Sequence, residues 1–148
     1  MIYYVELSSA LFSFSFDLDT KFIGKYTFHV DKYGNNIIND DKIKKRIVAS
    51  LDALKRLLIE FSVGAKRTRF NPSDLRWDSI AIAVSNDTWT MPSSFTRDYQ
   101  ERAMVKKNKI SYDTVIYAYA EEDCKADKCF RTAEEAIIDS IEDAKSKK

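Results

Sequence analysis

The stretch IKKRIVASLDALKRLLIEFSVGAKRTRF, residues 43–70, decides how the rest of this chain is organised. Its apolar side chains recur at spacings of three and four residues, at Ile43, Ile47, Leu51, Leu54, Leu58 and Phe61. That spacing predicts an amphipathic helix which packs on a core through one face. Asn39, Asp40 and Asp41 offer the oxygens and negative charge that favour a helix start. We expect Gly64 to end this helix.

Three cations, Lys66, Arg67 and Arg69, follow Gly64 within five residues. A corner between two rigid elements presents its side chains in a fixed arrangement, and neighbouring cations suit a phosphate backbone. Alternatively, the cations form a solvated helix end that complements the negative pole of the helix dipole. The local sequence leaves both interpretations open.

The chain before this helix predicts an antiparallel hairpin, because apolar and polar residues alternate along residues 2–18 and again along residues 22–30. The phenylalanines that we expect in the core are Phe12, Phe14, Phe16 and Phe28. A turn at residues 32–36 closes the segment.

The chain after the basic corner predicts two more strands and two more helices. The apolar run at residues 80–84 is typical of a central strand with both faces covered, and residues 115–120 predict another strand. Residues 97–107 fit a short helix capped by Thr96. A capping box at residues 132–135 predicts the start of the last helix.

The predicted order of strand, strand, helix, strand, strand, helix indicates an α+β fold. We expect a single domain over residues 1–148, of the ferredoxin-like or RRM-like kind, with a mostly antiparallel sheet and helices on one face. The length suits one soluble domain, and no apolar run is long enough to span a membrane. The start of the chain does not resemble a signal peptide, so we expect a cytoplasmic protein.

The chemistry of an enzyme is sparse in this sequence, so we expect a protein with no catalytic site, no cofactor and no metal. His29 is the sole histidine, and three glycines do not make a nucleotide-binding loop. Cys124 and Cys129 lack further soft ligands for zinc. We interpret them as free loop thiols in a reducing compartment.

Positive charge is concentrated in the middle of the chain, where residues 42–109 hold 15 lysines and arginines against 7 acidic residues. Phe70 accompanies Lys66, Arg67 and Arg69. A second set of cations and aromatics comprises Arg97, Arg102, Lys106 and Lys107 with Trp89, Phe95 and Tyr99. Cations contact phosphates and flat rings stack on unpaired bases, so the pattern favours binding of single-stranded nucleic acid.

Several segments resemble the RNA-binding backbone subunit of type I CRISPR effector (Cascade) complexes, in its archaeal DevR-like branch. The segments are residues 3–6, residues 14–19, Gly64-Ala-Lys-Arg-Thr-Arg-Phe70, residues 80–84, Arg97-Asp-Tyr99 and the tyrosine-rich strand before the last helix. The resemblance implies a partial RRM-like palm, matching about the C-terminal half of such a subunit, with the N-terminal part of the family fold absent.

By the same resemblance, Lys66, Arg67, Arg69 and Arg97 are expected contacts of the guide RNA. Two active roles remain open, and a third interpretation is a remnant with no retained activity. In the first, the chain is a short or split backbone protein that binds guide RNA and pairs with Cascade backbone or adaptor subunits, or with a copy of itself. In the second, it is a partial mimic, for example a virus- or plasmid-encoded anti-CRISPR protein, which docks on the effector complex and blocks its assembly or interference.

Overall fold

A computed structural model describes residues 11–60, 77–86, 88–110 and 113–147. Its elements in chain order are α1 (Asp40–Glu60), β1 (Ser79–Ser85), α2 (Tyr99–Ile110), β2 (Thr114–Ala120), β3 (Lys128–Cys129) and α3 (Ala133–Ser146), preceded by a 3-10 turn at Val30–Lys32. These elements confirm the α+β class, whereas the finer ferredoxin-like arrangement stays a prediction. The helix predicted within residues 97–107 is also confirmed, although it starts at Tyr99.

The described sheet has the strand order β1-β2-β3. β1 and β2 pair antiparallel along their whole length, from Ser79 opposite Ala120 to Ser85 opposite Thr114. β3 joins the other side of β2 in parallel, with Cys129 opposite Ala118. The prediction that residues 80–84 form the central strand is therefore wrong for the described sheet. β2 is the central strand, because it pairs with β1 on one edge and with β3 on the other. Its larger side chains are accordingly buried on both faces of the sheet.

The main core lies between one face of this sheet and the helices α1 and α3. Its buried members are Ile47, Leu51, Leu58, Ile80, Ala133, Ala136, Ile137 and Ile141. The predicted stripe of α1 supplies the first three of them, so the periodicity of that helix is confirmed. Trp77 closes the cluster at one end, because its ring packs against the core and its Nε1 donates to Leu58 O at 3.2 Å.

The helix α2 packs on the opposite face. Successive side chains of a strand point to opposite sides, so Ser79 and Ala118 face away from Ile80. Tyr99 OH lies 3.1 Å from Ser79 Oγ, and Ala103 is fully buried in the same layer. The sheet therefore has helices on both faces, with α1 and α3 on one and α2 on the other, and not on one face as predicted. This arrangement buries the side chains on both faces of β2.

The predicted N-terminal hairpin is wrong within the described residues. Residues 11–20 adopt no regular secondary structure, and residues 21–37 form a compact turn unit. Gly24 and Gly34 have positive φ angles of 78° and 80°, which fold the backbone back on itself. The predicted turn at residues 32–36 belongs to this unit. A period-two pattern indicates which side chains would lie on the same face of a strand, but it does not show that a second strand pairs with that segment. The pattern therefore could not exclude an irregular segment followed by a turn unit.

Two details of the C-terminal part complete the fold. The Thr132 side chain accepts a hydrogen bond from Glu135 N at 3.2 Å, so the predicted cap of α3 is confirmed. Cys124 and Cys129 form a disulfide, and the prediction of free thiols is wrong. The parallel pairing of β3 with β2 brings the two Cα atoms to 6.0 Å, a relationship that sequence spacing does not reveal.

Candidate nucleic-acid interface

The predicted basic corner, Lys66, Arg67, Arg69 and Phe70, lies outside the described residues, and its role as an RNA contact stays a prediction. The described part of the predicted site is the second group, on α2 and on the connection before it. The cations of this group differ in whether their charged groups form ion pairs or hydrogen bonds with other residues of the chain.

Three of these cations are engaged by neighbouring groups. Arg102 Nε donates to Asp98 Oδ2 at 2.8 Å, and this hydrogen bond lowers the pKa of Asp98 below its ordinary value. Lys107 forms an ion pair with Asp127. Lys106 donates to a backbone carbonyl of the preceding connection and lies 4.7 Å from the centroid of the Trp89 ring. The contacts of Arg102 and Lys106 join α2 to the connection before it, and that of Lys107 joins α2 to the loop after β2, so the three cations stabilise the fold.

Arg97 is different, because it is exposed and forms no ion pair with any residue that the structure describes. It follows a tight turn in which Thr96 N donates to Ser93 O at 3.3 Å and Tyr99 N donates to Thr96 O at 3.2 Å. The turn presents Phe95 to solvent with 84% of its surface exposed. An aromatic ring and a guanidinium that pairs with none of the described carboxylates therefore lie two residues apart in the chain.

This turn rests on the aromatic segment of residues 11–18. Ser94 Oγ donates to Phe14 O at 3.1 Å, and it also hydrogen bonds to the Ser13 hydroxyl. Phe14 packs against Trp77 with ring centroids 5.7 Å apart, which ties the segment to the core. Phe14 and Phe16 are stacked, with centroids 6.1 Å apart and planes inclined by 14°.

The phenylalanines of this segment were predicted to lie in the core, and this is wrong for all of those in the described residues. Phe12 is 75% exposed, and Phe14 and Phe16 are each 50% exposed. Ser13 and Phe14 hydrogen bond to Ser94 in the turn that carries Phe95 and Arg97, so we consider the exposed side chains of the two segments together. We call them the aromatic–arginine surface and define it as Phe12, Phe14, Phe16, Phe95 and Arg97. Exposed rings offer stacking faces to unpaired bases, and a guanidinium matches a phosphate group.

A second exposed feature, which sequence reasoning missed, is the turn unit of residues 21–37. It is held by backbone hydrogen bonds such as Ile37 N to Gly24 O at 2.8 Å and Gly34 N to Tyr26 O at 2.9 Å. Lys21 and Lys32 each lie over an aromatic ring of the unit. Phe28, which was predicted to be in the core, projects from it with 98% of its surface exposed. The two glycines were the available signal, because they interrupt an otherwise strand-like pattern.

Features of other functional classes are scarce in the part of the chain that the structure describes. None of its His, Cys, Asp or Glu residues form a group of three or more that could hold a metal ion. None of its helices has the length and apolar character needed to cross a bilayer. His29 is exposed and meets the edge of the Tyr26 ring at 5.6 Å.

Comparison with the sequence models of known protein families identifies a match. The sequence model of the family described as CRISPR-associated negative auto-regulator DevR/Csa2 matches residues 1–104 of this chain. The match therefore covers more than half of the 148 residues and includes every member of the aromatic–arginine surface and the whole basic corner. No curated protein and no solved structure matches the chain.

Proposed function

The chain belongs to the CRISPR-associated DevR/Csa2 family, and from this premise we propose that it is a backbone-type protein which binds single-stranded guide RNA in the cytoplasm. The binding role requires no catalytic group and no cofactor. Its protein partners are the backbone or adaptor subunits of a Cascade-type complex. The RNA lies across the aromatic–arginine surface and the basic corner of Lys66, Arg67 and Arg69.

The observation that carries this proposal is the aromatic–arginine surface. Exposing several phenylalanine rings to water is unfavourable, and large exposed apolar areas on a folded protein often mark a binding site. Stacked rings such as Phe14 and Phe16 suit unpaired bases, which are themselves flat and apolar on their faces. Arg97 adds a cation that the described residues leave unengaged.

The basic corner supplies the electrostatic part of the proposed site. Lys66, Arg67 and Arg69 contact phosphates, which provides affinity without dependence on base sequence. Phe70 extends the set of rings that are able to stack on bases. The two parts are expected to differ experimentally, because loss of a phosphate contact changes the salt dependence of binding whereas loss of a stacking ring changes it little.

The proposal is tested by fluorescence anisotropy with a labelled single-stranded RNA at low salt. The double variant Phe14→Ala/Phe16→Ala is expected to bind roughly 5–150-fold more weakly for each stacking ring lost, corresponding to about 1–3 kcal/mol per ring. Phe28→Ala is the matched control, because it removes an exposed phenylalanine from the separate turn unit. Arg97→Ala has Arg56→Ala as its control, since Arg56 is an exposed arginine of α1.

The outcomes separate clearly. Weakened binding by the Phe14/Phe16 and Arg97 variants, with unchanged binding by the Phe28 and Arg56 variants, supports the proposed surface. Equal losses in all four variants would indicate general electrostatic or hydrophobic adsorption. Absence of any RNA affinity in the unaltered protein at low salt would overturn the RNA-binding role.

A second candidate function is docking on an effector complex as a partial mimic of its backbone subunit, in the manner of an anti-CRISPR protein. The specific observation in its favour is that aliphatic residues are exposed beside the rings, with Leu11 next to Phe12 and Val30 near Phe28. Aliphatic side chains add apolar area to a protein interface but offer no stacking face to a base. Co-purification with effector subunits and reduced interference against a targeted plasmid are the expected results, and unchanged interference on overexpression would exclude this role.

A further inference from the structure

The loop of residues 121–129 joins three elements of the fold at one place. The disulfide between Cys124 and Cys129 closes its second half. Cys129 belongs to β3 and lies opposite Ala118 of β2, while Cys124 Sγ lies 3.6 Å from the carbonyl oxygen of the same alanine. Phe130 N donates to that oxygen at 2.9 Å. The covalent ring therefore sits directly on the central strand.

The residues inside this ring dock on α2. Lys125 N donates to Gln100 Oε1 at 2.9 Å, and the Gln100 side chain is buried and donates in turn to Tyr119 O at 3.3 Å. Lys125 Nζ lies 2.9 Å from Glu101 Oε2 on the outer side of the helix. The ring thus positions the Lys125 N–H as a hydrogen-bond donor to the buried Gln100 side chain. None of the other contacts named here provides a donor for Gln100 Oε1.

A second set of contacts ties the same ring to β2. Asp127 Oδ2 accepts a hydrogen bond from Ile116 N at 2.8 Å, and the other oxygen of this carboxylate pairs with Lys107 of α2. Ile116 lies one residue before the first β2 residue that pairs with β3, so the Asp127 side chain extends the strand pairing at the point where β3 begins. Loop, strand and helix are consequently joined by polar contacts, and the closed ring restricts the motion of the loop residues that make them.

We propose that Cys124 and Cys129 form a reversible thiol–disulfide site which controls how firmly the loop of residues 121–129 holds α2 against β2. Cys129 is exposed and Cys124 is partly buried, so Cys129 marks the side from which a reductant approaches the disulfide. The polar contacts of Lys125 and Asp127 hold the loop near its place after reduction. The opening is therefore local and leaves the core between α1, α3 and the sheet intact.

The chemistry of the site is thiol–disulfide exchange with a small or protein dithiol. One thiolate of the dithiol attacks Cys129 Sγ, the bond between the two protein sulfurs breaks, and Cys124 leaves as a thiolate that takes a proton from water. The second thiol of the reductant then displaces Cys129, so that the dithiol is oxidised by two electrons and the protein is reduced by two. The Cys124 thiol now carries a hydrogen that the Ala118 carbonyl is able to accept.

The test compares the full-length protein in oxidised form and after treatment with dithiothreitol, using intact mass after alkylation and amide hydrogen exchange. We expect reduction to complete under native conditions, and exchange at Lys125, Ile116 and α2 to become at least roughly tenfold faster. Exchange in the buried part of α3 is expected to stay unchanged. The variant Cys124→Ser/Cys129→Ser should resemble the reduced protein with or without oxidant, and Cys124→Ala/Cys129→Ala should do the same.

Two results would overturn the proposal. One is a protein that shows no disulfide by mass after equilibration with oxidised glutathione. The other is a disulfide that resists dithiothreitol unless the protein is unfolded, or whose reduction leaves hydrogen exchange at α2 unaltered. The wild-type comparison stands even if a cysteine variant does not fold. No readout involves RNA, so the outcome is independent of the proposed function.

Discussion

Lys145 Nζ lies 2.7 Å from Asp52 Oδ1, which joins the last turn of α3 to the middle of α1. The same ammonium group lies 2.9 Å from Glu142 Oε1, and Lys55 stands 3.6 Å from Asp52 and 3.5 Å from Glu142. Two cations and two carboxylates therefore alternate across the surface where the two helices meet. This network connects α1, the helix with the clearest apolar stripe in the sequence, to α3, which packs against that stripe in the core.

The network predicts a specific dependence of stability on acid. Hydrogen bonding from Lys145 lowers the pKa of Asp52 below 3.8 in the folded protein. A lowered pKa contributes stability that is present above the unfolded value and is lost as the pH falls through the folded value. Asp52→Asn should therefore reduce the loss of stability as the pH falls below about 4, the ordinary pKa of an aspartate. Urea denaturation at a series of pH values measures this loss.

Asp139→Asn is the matched control for that experiment, because Asp139 is an exposed carboxylate of α3 with no ion pair among the described residues. Its pH dependence should follow that of the unaltered protein. Equal acid sensitivity of the Asp52 variant and the unaltered protein would contradict the assigned role of the ion pair.

Two neighbouring isoleucines of α3 predict very different costs of truncation. Ile137 is fully buried against α1 and the sheet, whereas Ile138 is 42% exposed. Ile137→Ala should lower the free energy of unfolding by about 2–5 kcal/mol, because it removes transfer free energy and leaves a cavity. Ile138→Ala should cost less than about 1 kcal/mol. Similar losses of unfolding free energy for the two variants in urea denaturation would contradict the assignment of Ile137 to the core.

A comparison of alanine substitutions at Gly24 and Gly34, the two glycines of the turn unit, distinguishes the cost of backbone strain from that of a steric clash. Both have positive φ, so alanine at either position should cost about 1–2 kcal/mol through strain alone. At Gly34 an added Cβ meets nothing within 4 Å, whereas at Gly24 it would lie 2.9 Å from Ile43 Cγ1. Gly24→Ala should therefore cost about 1–3 kcal/mol more than Gly34→Ala in thermal or urea unfolding.

The basic corner predicts a change in the salt dependence of RNA binding. Each phosphate contact contributes about 0.7 to the slope of the logarithm of the binding constant against the logarithm of salt concentration for a single strand. Lys66→Ala/Arg67→Ala should therefore lower that slope by about 1.4 in anisotropy titrations. Lys44→Ala/Lys45→Ala removes the same charge from the exposed side of α1 and should leave the slope nearly unchanged. An equal reduction by both pairs would argue against a localised phosphate site.

The candidate site was predictable only in part. Arg97 was expected as an RNA contact from the sequence, and its exposure keeps that role open. Arg102 and Lys107 carry the same charge in the same segment, yet Asp98 and Asp127 engage them. Asp98 is near Arg102 in the chain, but Asp127 reaches Lys107 only because the loop after β2 folds back over α2. Charge patterns identify cations and do not identify which of them the fold neutralises.

The sequence by itself determined the elements whose signals are local. The apolar stripe of α1, the run that becomes β2 and the Thr132 cap of α3 each depend on residues within one or two helical turns, and all three are confirmed. Tertiary structure alone decided that Phe12, Phe14 and Phe16 face solvent, that β2 rather than β1 is central in the described sheet, and that Cys124 bonds to Cys129. The physical reason is that burial and strand order depend on partners distant in the chain, which periodicity does not encode. The disulfide joins residues only five positions apart, but it depends on how β2 holds the loop between them.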